Sequence, residues 1–403
     1  MITKIPFSPP FINEDVEQEV LSALHSGWIT TGPKVRQLEE AFNLKYGFKE
    51  SIGVNSWTSG AILVLRWLGI KEGDEVIIPA YTYSATALAV LHAGGTPVMV
   101  DVEDDFNISV EKIEKAITSK TKAIIGVDIG GFPADYDGQW DILSKKSVQD
   151  LFVAESEVQQ KLGRCLLIAD SAHSFGSDFG SKLADIVVFS LHAVKNLTSA
   201  EGGIISLNLP ESFDVRTTYT LFRRLTLNGQ SKDALDKSRS GSWRYDIVEF
   251  GMKCNLPDVN AAIALGQLKS WDSIQSRRIS IFQYYSNYFK KFDWAILPPE
   301  TKGGSNTSGH LFMLRIAGIK EELRDEIISE ISKTEVTVNV HFIPMPMLTL
   351  FKNLGYDIQN YPKAYSLYEN EISLPIYPSL TDEKLHIICT EVSKAIENAK
   401  TSL

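Results

Sequence analysis

Two periods of apolar spacing alternate along the first half of the chain. Short β-branched runs recur at Ser51–Val54, Glu75–Pro79, Pro97–Val100, Lys122–Val127, Leu166–Asp170, Asp185–Ser190 and Gly203–Leu207. Such runs, bounded by Gly, Pro and polar residues, read as buried strands. Between them the spacing turns helical. In Glu14–Ser26, Val16, Val20, Leu21 and Leu24 share one face and Gly27 ends the helix. Pro33 opens a second helix that Gly47 stops, and further helices are predicted over Ala61–Leu68, Ser84–Ala93, Ser109–Ile117 and Val148–Leu162. Strands alternating with helices predict an α/β fold whose mostly parallel central sheet is sandwiched by helices.

After Leu207 the texture changes. Residues 211–245 are rich in charge and hydroxyls, with Arg223-Arg224, Lys237-Ser238-Arg239 and Trp243-Arg244-Tyr245. This stretch reads as a solvated excursion, or as a basic, aromatic one able to hold a nucleotide. Asp258–Trp271 is a long apolar helix, and 298–309 an exposed loop. The remainder predicts strand His310–Ile316, helix Glu321–Ser332, strand Val336–Phe342 and helix Asp382–Lys400. We therefore expect a large domain over 1–254 and a smaller C-terminal α+β domain over 255–403.

Composition narrows the function classes. A hydrophobic content of 44% and a charged content of 22% are ordinary for a globular chain. The net charge of −10 argues against nucleic acid or an anionic membrane as the main partner. Cys165, Cys254 and Cys389 are far apart, so neither a metal site nor a disulfide framework is indicated. Neither a signal-peptide core nor a membrane-spanning run is visible, and a cytoplasmic location is expected.

Candidate chemistry gathers where two apolar strands end. The run Asp185–Ser190 stops at a hydroxyl, and His192 and Lys195 follow. A Lys after a strand is ordinarily a solvated surface residue. Asp170 changes the odds, because it ends the preceding strand in Leu166-Leu-Ile-Ala-Asp170. Successive strands delivering an acid and an amine to one sheet edge suit pyridoxal phosphate: the amine bonds the cofactor, and the acid keeps its pyridine nitrogen protonated. Asn55-Ser-Trp-Thr-Ser-Gly60 is a small polar turn feeding a helix, which is either a plain N-cap or a phosphate site. No GxGxxG follows the first strand, which disfavours a dinucleotide fold.

Taken together the motifs resemble the nucleotide-sugar aminotransferases of the DegT/DnrJ/EryC1/StrS family, within fold type I of the pyridoxal-phosphate enzymes. The likeness covers nearly the whole chain. It rests on Gly27-Trp-Ile-Thr-Thr-Gly-Pro33, Gly53-Val-Asn-Ser56, Pro79-Ala-Tyr-Thr-Tyr-Ser-Ala-Thr86, Asp170-Ser-Ala-His173, and Phe189-Ser-Leu-His-Ala-Val-Lys-Asn196 followed by Glu201-Gly-Gly203. Gly251-Met-Lys-Cys-Asn-Leu-Pro-Asp258 and Val340-His-Phe-Ile-Pro344 extend it. By position, the resemblance implies that Lys195 is the cofactor-bonding lysine and Asp170 the pyridinium partner. It makes Tyr83 the aromatic that stacks on the cofactor ring, where the alternative is a core tyrosine. His173 falls beside the cofactor, where the alternative is a structural histidine. Ser56, Trp57, Thr58 and Ser190 match the phosphate cup. Asn255, with Lys253 as runner-up, matches a stretch that reaches the neighbouring subunit's cofactor. Thr31 and His341 fall where the family handles the sugar nucleotide. Trp57 and Gly60 depart from the usual phosphate turn, and Cys254 stands where an aromatic is usual.

The implied activity is transfer of an amino group from glutamate or glutamine to a nucleotide-linked keto-deoxysugar, for aminosugar or surface polysaccharide synthesis. The Trp243-Arg-Tyr-Asp246 and Gly251–Asn255 stretches resemble C4-transaminases more than C3 ones. A homodimer with shared sites is expected. Three rivals stay open. A sugar dehydratase of the same fold is disfavoured, since dehydrating relatives carry His in place of Lys195. A non-catalytic regulator on this scaffold is disfavoured by the intact Asp170–Lys195 pair. An amino-acid-metabolising enzyme of the fold should carry an Arg for a substrate carboxylate, and only Arg315 and Arg324 were available between 310 and 403.

Overall fold

Seven strands of five to seven residues build one sheet in the order β1-β7-β6-β5-β4-β2-β3: Glu50–Val54 (β1), Glu75–Pro79 (β2), Thr96–Val100 (β3), Thr121–Val127 (β4), Leu166–Asp170 (β5), Ile186–Ser190 (β6) and Gly203–Leu207 (β7). The computed structural model describes residues 4–177, 183–232, 243–302 and 305–401. Lys237, Ser238 and Arg239 lie outside the described residues. All pairings are parallel except those of β7, which runs antiparallel to both β1 and β6. The expected mostly parallel sheet is therefore present, with one reversed strand that the alternation of elements did not reveal.

Strand parity sorts the two faces. Leu166, Ile168, Ile186, Val188, Ile205 and Leu207 join a core cluster with helices Trp57–Leu68 and Ala85–Ala93. Leu167, Ala169, Val187, Phe189 and Ile204 join another with Val35, Leu38 and Phe42 of helix Pro33–Tyr46. Helix Asp258–Lys269 packs on helices Glu14–His25 and Pro33–Tyr46. A third core surrounds the small sheet of Ala295–Ile296, Phe312–Ile316 and Glu371–Leu374. Helix Trp271–Phe289 bridges two cores: Trp271 and Ile274 belong to the second, Ile281, Phe282, Tyr285 and Phe289 to the third.

Several elements differ from expectation. The helix expected over Val148–Leu162 is two pieces, Lys146–Gln149 and Glu157–Leu162. Ser156 restarts the second: its Oγ accepts from Gln159 N at 3.1 Å and donates to the carbonyl of Leu68 at 2.8 Å. Val336–Phe342 forms only isolated bridges, because Phe312–Ile316 takes Glu371–Leu374 as its antiparallel partner instead. The helix expected to Trp271 stops at Lys269 and a new one starts at Trp271. Helices Tyr136–Ser144 and Val215–Leu225 were not anticipated. No helix among the described residues is long and apolar enough to cross a membrane.

Candidate active site

Parity also aims the chemistry. Asp170 continues the register of Leu166 and Ile168, and Ser190 that of Ile186 and Val188, so both side chains emerge on the face covered by helices Trp57–Leu68 and Ala85–Ala93. A cavity of about 410 Å³ opens there, at the carboxyl ends of the parallel strands. Its walls carry Ser56, Trp57, Thr58, Tyr83, Asp170, His173, Ser190, Lys195 and His341, nine of the residues singled out in the sequence. Ligand clefts at strand carboxyl ends are the rule in open α/β sheets.

Asp170 sits on the cavity floor and is 4% exposed. Thr86 Oγ1 donates to its Oδ2 at 3.0 Å, and the amide of Ala172 donates to Oδ1 at 3.2 Å. Burial pushes its pKa up to about 7, against these hydrogen bonds and the nearby Lys195. Lys195 is partly exposed in the cavity wall. Burial pushes its amine down to about 8, with Asp170 pulling the other way. An amine near 8 is substantially neutral just above neutrality and so can act as a nucleophile or base.

His173 is buried, and burial together with the charge of Lys195 drives its pKa well below the usual range. The amide of Gly130 donates to its Nδ1 at 3.3 Å, which leaves the hydrogen of a neutral ring on Nε2. Its ring stacks 4.4 Å from that of His310. His310 Nδ1 lies 2.9 Å from Asn196 Oδ1, while the Asn196 amide donates to the carbonyls of Phe175 and Ser308. Tyr83 is 63% exposed, so it is not a core tyrosine; its ring stands 5.9 Å from that of Phe342.

At the other end of the cavity, Ser56 caps helix Trp57–Leu68, its Oγ accepting from Ser59 N at 3.1 Å. The early amides of a helix are unpaired donors with a favourable dipole for an anion. Two departures noted in the sequence have structural reasons. A Cβ on Gly60 would sit 3.1–3.2 Å from side chains of Ile205, Val188 and Val54, so Gly60 lets the helix lie close on the sheet. Trp57 is 5% exposed, and its buried Nε1–H has no acceptor among the described residues. Gly203 matters too: a Cβ there would come within 2.8 Å of Trp57 N, crowding the helix start.

Three singled-out residues stand elsewhere. Thr31, Lys253 and Asn255 are absent from the cavity walls and form their own cluster. Asn255 Nδ2 donates to Thr31 Oγ1 at 2.6 Å, and Thr31 Oγ1 to the carbonyl of Leu256 at 2.5 Å. Lys253 Nζ donates to Asn255 Oδ1. Conversely, Thr86, His310 and Phe342 line the cavity without having been assigned a role. Thr86 stood inside a quoted motif, whereas His310 read only as the start of a strand.

The arrangement fits pyridoxal phosphate. A buried acid, a neutral-leaning amine, the first turn of a helix and an exposed aromatic ring all border one cavity. The comparisons with known proteins agree. The profile of the DegT/DnrJ/EryC1/StrS aminotransferase family matches residues 10–393. The spore coat polysaccharide biosynthesis protein SpsC of Bacillus subtilis is 34% identical over 404 residues, covering 98% of each chain. A Streptococcus pneumoniae protein described as a sugar aminotransferase, Spr1654, solved in PMP and PLP forms, superposes in the PMP form with a TM-score of 0.94 at 42% identity. That match covers 98% of this chain and 100% of the other. Helicobacter pylori PseC, an aminotransferase involved in the biosynthesis of pseudoaminic acid, superposes with a TM-score of 0.85 at 25% identity over 98% of this chain and all of its own. The cofactor is pyridoxal phosphate, and the chain belongs to the DegT/DnrJ/EryC1/StrS family of sugar aminotransferases.

Proposed function

We propose that this enzyme transfers an amino group from glutamate or glutamine to carbon 4 of a nucleotide-linked keto-deoxysugar, in the synthesis of a surface polysaccharide. The observation that carries the reading is Asp170 and Lys195 facing one cavity from the ends of adjacent strands. The polysaccharide role is supported by the name of the B. subtilis relative, and the aminosugar product by that of the H. pylori one. The preference for C4 rests on the Trp243–Asp246 and Gly251–Asn255 stretches.

The cofactor supplies an electron sink for charge developing at the carbon next to the transferred nitrogen. Asp170 would hold the proton on the pyridine nitrogen of the bound cofactor. Lys195 Nζ would be the group that bonds the cofactor, and its free amine could hold and deliver a proton as base and then acid. Ser56, Trp57, Thr58 and Ser190, with the helix amides, would hold the phosphate. Tyr83 and His173 would border the cofactor ring. His341 meets the sugar. One cavity serving two substrates in turn implies ping-pong kinetics.

The cluster of Thr31, Lys253 and Asn255 finds its use in a homodimer, where it completes the partner's site across a two-fold axis. An exposed apolar strip on the same excursion supports this. Trp243, Tyr245, Ile247 and Phe250 are 55–88% exposed, more than an isolated chain ordinarily leaves uncovered. The reading is tested by half-reactions. Glutamate or glutamine should convert the cofactor spectrum to the amine form, and a nucleotide-linked 4-keto sugar should convert it back. Conversion by amino acids with no return by any keto sugar would overturn it.

A further inference from the structure

Behind His341 a buried polar chain leads away from the cavity. Glu371 and Ser373 lie two apart on one strand, so both point to the same face, and both are fully buried. Ser373 Oγ is 2.5 Å from Glu371 Oε1 and 3.0 Å from His341 Nδ1. The other carboxyl oxygen accepts the backbone N–H of His341 at 3.0 Å, and the Tyr81 hydroxyl donates to the carbonyl of His341 at 2.7 Å. His341 Nε2 has no protein partner among the described residues, and the ring borders the cavity.

A serine hydroxyl has one hydrogen and cannot donate both ways. With a proton on Glu371, the carboxyl donates to Ser373, Ser373 donates to His341 Nδ1, and a neutral ring carries its hydrogen on Nε2. With Glu371 ionised, the order reverses: Nδ1–H points inward and Nε2 is a bare acceptor. The ring tautomer thus follows the state of Glu371. Burial raises Glu371 to about 8, while the guanidinium of Arg324, on helix Glu321–Ser332, opposes it; Tyr81 is the other titratable group against it. Burial and Lys195 hold His341 down to about 4, so the ring is neutral at pH 7. The Phe7 ring covers it at 5.3 Å.

We propose that Glu371 is a positioning residue for the cavity: acting through Ser373, it sets the His341 ring so that Nε2–H is offered as a donor to an oxygen of the bound sugar. The choice of sugar rests on the proposed function; the tautomer itself does not.

The test uses cofactor-loaded protein labelled with ¹⁵N-histidine, with the seven histidines sorted by a His341→Gln spectrum. At pH 7 His341 should show its hydrogen on Nε2, and raising the pH past 8 should move it to Nδ1. Glu371→Gln, whose amide donates to Ser373 as the protonated acid does, should keep the hydrogen on Nε2 throughout. In the wild type the KM for the sugar nucleotide, relative to that for the amino donor, should rise about tenfold between pH 7 and 9, the loss of one hydrogen bond; in Glu371→Gln this rise should vanish. Ser373→Ala should carry the raised sugar KM already at pH 7, assayed well below its own melting temperature, which falls because Glu371 and His341 Nδ1 lose a buried partner. A hydrogen on Nδ1 at pH 7, a tautomer in Glu371→Gln that still moves with pH, or Ser373→Ala raising both KM values together would overturn the proposal. Failure of the sugar reading would appear separately, as wild-type protein without a sugar half-reaction.

Discussion

Helix Pro33–Tyr46 begins at a glycine, which has no side chain with which to cap it. Asp258, from the start of another helix, caps it instead. Its Oδ1 accepts from Gly32 N at 2.8 Å and Val35 N at 3.0 Å, and its Oδ2 from Lys34 N at 3.1 Å. The backbone returns the favour, Asp258 N donating to the carbonyl of Thr30 at 3.2 Å. Asp258→Ala strands three amides, two of them buried, and removes a carboxylate from the positive end of a helix. Each of the two buried unpaired donors costs roughly 1–3 kcal/mol and the dipole term about 0.3–1 kcal/mol, which together give about 2–7 kcal/mol. Asp258→Asn keeps one acceptor oxygen and should lose only about 1–2 kcal/mol, the range of a weakened cap. Equilibrium urea unfolding of cofactor-saturated protein reads both numbers, provided the slope with denaturant is unchanged. The same substitution loosens the loop holding Thr31, so the Ala variant should also bind nucleotide sugar more weakly. An Asp258→Ala protein within 1 kcal/mol of wild type, or indistinguishable from Asp258→Asn, would refute the capping argument.

Three further outcomes follow from the site. Borohydride reduction should place the pyridoxyl adduct on Lys195 by peptide mapping; since the neutral amine is the reactive form and its pKa is pushed down to about 8, cofactor uptake by stripped enzyme should climb from pH 7 to 9 and level off beyond, whereas a climb continuing past pH 10 would point to an unperturbed lysine. Asp170→Asn should retain cofactor yet lose at least about a hundredfold in turnover, because an amide cannot stabilise a pyridinium; near-normal rates would assign that part to another group. Mixing inactive Lys195→Ala and Asn255→Ala proteins under subunit exchange should restore activity if sites are shared, and no recovery despite demonstrated exchange would put Asn255 outside the partner's site.

How legible the molecule was depends on where each residue's partner lies. Asp170 and Lys195 could be read because strand parity, a local property, fixes which face they enter and both come from adjacent strands. Ser56 was legible for the same reason, as a cap three residues from its own acceptor bond. Helix Val215–Leu225 was not. Arg223 and Tyr219 looked like solvated charge and polarity, but both reach the buried carboxylate of Glu39, more than 180 residues away in the case of Arg223, at 3.2 and 3.1 Å. Strand Glu371–Leu374 was missed because its two polar side chains bond to each other and to His341, thirty residues away, rather than to solvent. His310 enters the site through a stack with His173 that no spacing along the chain encodes.

The reversal of β7 bears on how the molecule assembles. A parallel pair needs a connection that carries the chain back along the sheet before its strands can meet, and the entropy of closing that loop is lost first. The pair β6 and β7 needs no crossover: the chain leaves at Ser190 and re-enters at Gly203, directly opposite. It is the most local pairing in the sheet, and low sequence separation favours early formation. The segment bearing Lys195 is thus pinned at both ends by a ladder whose closure does not depend on the parallel strands having found their order.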